Sequence, residues 1–157
     1  MRKKKPFNKL AKIEAEMARL EGMASQVYFN PDMTHPRSGT PAPDVAAINY
    51  YGDSAGLGRP PARPFMDVMQ VLAYGEIAKI LRKGVKDVAR GKLTAGQVYR
   101  LVGNAQKRHL YSVLRNGGAY FLPNAEETLR QKGADKQPLE ETGTFLIRAI
   151  KTQVTKK

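Results

Sequence analysis

The chain has 157 residues, with 27 Lys and Arg against 14 Asp and Glu, a formal net charge of +13, 41% hydrophobic residues and no cysteine. That length suits one domain with a buried core, the hydrophobic content argues against global disorder, and the lack of cysteine removes disulfides, thiolate catalysis and thiolate metal sites. The basic start MRKKKPFNKL leads into a charged amphipathic segment, and no run approaches ~18 apolar residues, so a soluble protein with no membrane span or signal segment is expected.

Leu10, Ile13, Met17 and Leu20 recur at spacings of three and four, which predicts an amphipathic helix over residues 7–21 ending at Gly22. Residues 24–29 contain Val27, Tyr28 and Phe29 before Asn30-Pro31 and read as a short strand. Residues 31–64 are rich in proline and glycine and are expected to form an extended loop or arm, interrupted by one apolar island at Val45 to Tyr51. A helix over residues 65–83 follows, opened by Arg63-Pro64 and carrying Met69, Leu72, Ala73, Ile77, Ile80 and Leu81 at helical intervals.

Gly84 and Gly91 bracket a further short helical piece, and Thr94 with Gln97 has the spacing of a capping box that starts a third helix reaching Arg115. Gly117-Gly118 ends it. Asn124, followed by Glu126 and Glu127, suggests a fourth, short helix stopping at Gly133. Phe145 to Val154 alternates in the manner of a strand, with Ile147 and Ala149 on one side, and is expected to pair with the segment near Val27. The expectation is therefore an α+β fold: a single domain over residues 1–157, with amphipathic helices packed on a small, mostly antiparallel sheet. A basic tail at residues 1–6 and a basic end at residues 155–157 flank it.

The charge is unevenly placed. Residues 1–13 contribute +6 and residues 147–157 contribute +4, which leaves +3 for the body. Within the body, residues 79–115 hold ten basic residues and one acid, Asp87, whereas residues 14–78 hold four basic residues and eight acids. Such polarisation fits solvated surface, an acidic protein partner or the phosphates of nucleic acid.

No catalytic constellation emerges. His35 and His109 lack a second histidine or carboxylate at ligand spacing, and the adjacent pairs Glu126-Glu127 and Glu140-Glu141 diverge on a helix instead of facing each other. Gly56-Leu57-Gly58-Arg59 lacks the Lys-Ser/Thr end of a phosphate-binding loop. The segment 79–115 is too long in its linker, Lys83 to Thr94, for a helix-turn-helix. No enzyme, cofactor or metal is expected.

The order of segments carries more information than any one of them. Val45-Ala46-Ala47-Ile48-Asn49-Tyr50-Tyr51-Gly52 is followed by Pro60-Pro61-Ala62-Arg63-Pro64-Phe65-Met66. Leu122-Pro123-Asn124 with Thr128 and Lys132-Gly133 comes next, then Pro138-Leu139-Glu140-Glu141-Thr142-Gly143. This series, over about residues 7–155, resembles the neck and tail-completion proteins of tailed bacteriophages, often described as putative tail components or minor tail proteins. The sequence departs from the family pattern at Tyr50-Tyr51, at Glu141, at Gln137 and at Phe145.

The resemblance implies a structural virion protein at the head-to-tail junction, made in the host cytoplasm and assembled as a ring or collar of six copies or a multiple. Its partners would be other copies of itself and adaptor, head-closure, tail-terminator or tail proteins, with possible non-specific contact to packaged DNA and no membrane. Arginine and aromatic residues dominate interface hot spots. The expected protein interface is therefore Tyr50, Tyr51, Arg59, Arg63 and Phe65, with Leu139, Thr142 and Phe145 beside the last strand. Arg2, Lys3, Lys4, Lys5, Lys156 and Lys157 are expected to meet DNA or acidic surfaces. The alternative is a small basic nucleic-acid-binding protein using residues 79–115 and the tails.

Overall fold

The spacing of Leu10, Ile13, Met17 and Leu20 folds as helix α1 (Asn8–Glu21), the first element of a computed structural model that describes residues 8–52, 61–122, 130 and 139–156. Strand β1 (Met23–Phe29), helices α2 (Ala42–Tyr51), α3 (Phe65–Ala89) and α4 (Ala95–Arg115), a 3-10 turn at Gly117–Ala119, helix α5 (Glu140–Ala149) and strand β2 (Ile150–Lys156) follow. The fold is α+β: among the described residues, helices accompany one antiparallel sheet of two strands, β1 and β2. Gln153 Nε2 donates to Gln26 Oε1 at 2.8 Å, and beyond β1 the Asn30 N–H reaches the Ala149 carbonyl at 2.8 Å, so the register of the pair holds at both places.

The chain divides into two compact units. The first comprises Met1–Gln26, Tyr74–Ala105 and Thr152–Lys157, and the second Val27–Ala73 and Gln106–Lys151. The physical reason lies in the long helices, each of which supplies two separate sets of buried side chains. In α3 these are Phe65, Met69 and Ala73 for the second unit and Gly84 and Val88 for the first.

In the first unit, the N-terminus of α4 is closed twice. Gln97 N–H donates to Thr94 Oγ1 at 3.2 Å, and Thr94 N–H donates to Gln97 Oε1 at 2.8 Å, the reciprocal capping box expected from the sequence. Glu16 of α1 then accepts from the Ala95 N–H at 2.8 Å while holding Arg19 in an ion pair, and Tyr99 donates to the Leu20 carbonyl at 2.7 Å. A carboxylate at a helix N-terminus satisfies an orphan donor and opposes the positive end of the helix dipole.

In the second unit, α2 packs against α5, and the core gathers Phe29, Val45, Phe65, Leu110, Leu114, Leu146 and Ile150. Gly143 lets α5 approach α4 closely, since a Cβ there would lie 2.7 Å from the Leu114 carbonyl oxygen. Leu139, just before α5, sits at φ 65, a left-handed conformation unusual for leucine, and its side chain is buried, which compensates for the backbone cost.

Three sequence expectations change. The arm expected over residues 31–64 is not extended across its described part. Thr34 bridges Pro41, the His35 N–H bonds the Thr40 carbonyl at 2.8 Å, and the apolar island becomes α2, whose Ala42, Val45, Ala46 and Asn49 are buried. Pro41 and Pro43 open that helix, where their missing N–H groups cost nothing. The last strand begins at Ile150 and not at Phe145: Phe145 to Ala149 is helical, because Phe145, Leu146 and Ala149 are buried together at the spacing of one helix face, which an alternating strand would split between two faces. The helix expected over residues 65–83 runs unbroken through Gly84 to Ala89. The helix proposed over residues 124–133 lies outside the described residues, apart from Arg130.

Two glycines of α3 separate packing from propensity. A Cβ at Gly75 meets nothing within 4 Å, so Gly75→Ala should stabilise by about 0.5–1 kcal/mol, the helix-interior cost of glycine. A Cβ at Gly84 would lie 2.5 Å from Cγ1 of the fully buried Val98. Val98 is stiff at χ1 and cannot retreat, so Gly84→Ala should destabilise by about 1–3 kcal/mol despite its better propensity. Urea denaturation of both variants checks the opposite signs.

Candidate functional site

The second unit holds an open, mostly apolar groove of about 640 Å³. The end of β1 contributes Val27, Tyr28 and Phe29, and Pro31 follows. From α2 come Pro43, Ala46, Ala47, Tyr50 and Tyr51, at intervals of three, one, three and one that mark a single helical face. The first turns of α3 add Phe65, Met66, Asp67 and Gln70. Among the described residues of the lining, Asp67 is the one that carries a charge.

Aromatic contacts set the groove floor. Phe65 lies edge-on to Phe29 at 6.0 Å and to Tyr50 at 5.6 Å, and Tyr50 in turn meets Tyr51 edge-on at 4.8 Å. Such edge-to-face pairs align the positive rim of one ring with the negative face of another. The Tyr50 hydroxyl donates to Asp67 Oδ2 at 2.8 Å, tying α2 to α3. That hydrogen bond, with smaller contributions from desolvation and from the Asp67 charge, holds the Tyr50 phenol above its ordinary value.

Below this floor, the Arg63 N–H donates to the Asn49 and Tyr50 carbonyls at 3.0 and 3.2 Å, and its Nη1 donates to Asn49 Oδ1 at 3.4 Å. Asn49 Nδ2 donates to the Val45 carbonyl at 2.8 Å. Burial lowers the Arg63 guanidinium from its ordinary value, since removal from water disfavours the charged form.

The structure redistributes the residues nominated from sequence. Tyr50 is half-buried and Tyr51 is 69% exposed, and both line the groove. Phe65, at 1% exposure, shapes the groove from inside the core. Arg63, Leu139 and Phe145 are buried as well, so these four are not available as side-chain hot spots for a partner. The reason is that a large aromatic or a paired arginine serves an internal core as readily as an interface. Thr142 is half-buried, Phe145 makes an edge contact with His35 at 5.3 Å, and both belong to α5, which leads directly into the last strand. Lys156 is exposed, whereas Arg2, Lys3, Lys4, Lys5, Lys157 and Arg59 lie outside the described residues.

Sequence reasoning missed the contributions of Tyr28, Ala46, Ala47 and Met66. The spacing of Pro43, Ala46, Ala47, Tyr50 and Tyr51 carries their signal, hidden by a segment read as arm. Elsewhere, all ten basic residues of 79–115 are exposed. The described residues contain no group of three or more His, Asp or Glu placed to hold a metal ion, and no described helix is long and apolar enough to cross a membrane. In comparisons with known proteins the chain matches no family model, no curated protein and no solved structure.

Phe65→Ala should cost about 3–5 kcal/mol, as for a fully buried aromatic, whereas Tyr51→Ala should stay within about 0.5 kcal/mol of the parent. Chemical denaturation compares the two. The folded chain holds the Tyr50 proton more tightly than the unfolded one. The associated stabilisation is therefore present below the ordinary value of 10.0 and is lost as pH rises through the higher folded value. In an ultraviolet tyrosinate titration, Asp67→Asn should bring the Tyr50 transition down, and Tyr50→Phe should delete it.

Proposed function

We propose that this chain is a structural virion protein of the bacteriophage head-to-tail junction, a neck, collar or tail-completion subunit, working by ring assembly and protein–protein binding without an active site of its own. The observation that carries the reading is the groove: an open apolar surface rimmed by exposed Tyr51 and by Tyr28, of the kind that soluble monomers seldom leave uncovered. Tyrosine at such a rim supplies large contact area at little entropic cost, together with a hydroxyl for the wet edge. The ordered series of motifs from Val45 to Gly143 supplies the phage assignment.

In this reading the occupant of the groove is a neighbouring copy in a ring of six or a multiple, and the remaining faces meet adaptor, head-closure, tail-terminator or tail proteins. A contact that pairs one surface patch with a different one closes into a ring when the rotation closes. The protein would assemble in the host cytoplasm and reside in the virion.

A second reading, a small basic nucleic-acid-binding protein, is favoured by the exposure of the ten cations of residues 79–115. The two readings separate in particles. Loss of the protein should leave filled heads and complete tails unjoined in electron micrographs. Tyr51→Glu, which leaves the core intact, should give a folded subunit with the same defect. Normal joined particles made without the protein would reject the assembly reading.

A further inference from the structure

The second half of α3 carries Lys79, Arg82, Lys83 and Lys86, and Arg90 follows its last residue, Ala89. Spacings of three, one and three place the four helical cations within an arc of about 100 degrees, over about 10 Å of helix. Every one of them is exposed, while Gly84 and Val88, on the opposite side of the helix, are buried. On the same helix, Glu76 and Asp87 lie along one edge of this stripe and are half-buried. All of these residues belong to the first unit, so the stripe is a single continuous surface.

Helix electrostatics account for only part of this stripe. Cations are favourable in the last turn, where Lys86 opposes the negative end of the dipole with Arg90 just beyond it, but that effect dies away within a turn and does not reach Lys79, Arg82 or Lys83. Four cations on one face repel one another in the free chain and call for a polyanion. The composition of the stripe decides which kind. Protein interfaces are depleted in lysine and anchored by buried aromatics, and this face has three lysines and no aromatic residue. Phosphate contacts need only long cationic side chains at regular intervals and no hydrophobic anchor.

We infer that this face of α3 binds the phosphate backbone of duplex DNA without reading sequence. On the assembly reading above, the DNA is the genome passing through the ring. The binding itself does not depend on that reading and can fail or succeed independently of particle joining.

The test measures duplex DNA affinity of the full chain by fluorescence anisotropy across a salt series. Lys79→Gln/Lys83→Gln/Lys86→Gln should flatten the slope of log K against log salt by about 3, near 0.9 for each phosphate that is no longer neutralised. A matched control, Lys12→Gln/Lys107→Gln/Lys151→Gln, removes the same charge from exposed positions elsewhere and should change the slope by less than about 1. Scrambling the DNA sequence should leave the affinity unchanged. Circular dichroism establishes that both triple variants are folded. No DNA binding at low salt would overturn the inference, as would equal slopes for the two triple variants. Displacement of the DNA by poly-glutamate at equal charge concentration would also overturn it, and would assign the face to an acidic protein.

Discussion

Burial of Phe65 is the constraint on which the second unit depends. Its ring touches Phe29 at the end of β1 and Tyr50 near the end of α2, while its backbone begins α3, so one side chain fixes three elements around a common point. The neighbouring Arg63 N–H ties the entry of α3 to α2 from the backbone side, through the Asn49 and Tyr50 carbonyls. Close approach is compulsory there. Gly52 lies at φ 63, and a Cβ on it would come within 2.2 Å of the Ala62 nitrogen, so glycine is needed for both conformation and space. The groove is the outer surface of this arrangement, and its shape follows from what Phe65 holds together.

The two units divide the chemistry as well as the core. The second carries an aromatic groove with a single carboxylate among the described residues of its lining, and the first carries a cationic helix face with no aromatic residue on it. α3 serves both, its first turns lining the groove and its second half presenting the cations. In the first unit the buried stripe of this helix is made by Gly84 and Val88. Gly84 keeps that stripe unbroken by giving Val98 of α4 room to pack. Glycine here is a contact residue, although its usual sequence meaning is a helix break.

Readability from sequence followed how local each signal was. The periodicity of α1 and the capping box at Thr94 and Gln97 are local features, and the helix and the two hydrogen bonds appear where the residues predict them. The strand at Val27 and its pairing with the final segment also match, since β-branched and aromatic residues bounded by Asn30-Pro31 leave few alternatives. In the run from Phe145 to Ile150 the buried residues are Phe145, Leu146, Ala149 and Ile150, the i, i+1, i+4, i+5 spacing of a helix stripe, whereas the strand expectation followed the alternation of Ile147 and Ala149 with Arg148 and Ile150. Prolines near Ala42 signalled irregular backbone although Pro41 and Pro43 only start a helix. Of the nominated interface, Tyr50 and Tyr51 reach the groove surface, while Arg63, Phe65, Leu139 and Phe145 are inside.

By itself, the sequence determined the fold class, the helical periodicities, the absence of thiol chemistry and the placement of charge along the chain, because each depends on residue identity and near-neighbour spacing. Only the tertiary structure decided which conspicuous residues face outward. A phenylalanine or arginine carries the same local signal whether it anchors a partner or a core, and the difference lies in contacts with residues distant along the chain. The same holds for the cations of α3: their number was plain from composition, but their alignment on one exposed face required an unbroken helix through Gly84, and packing against Val98 supplies it.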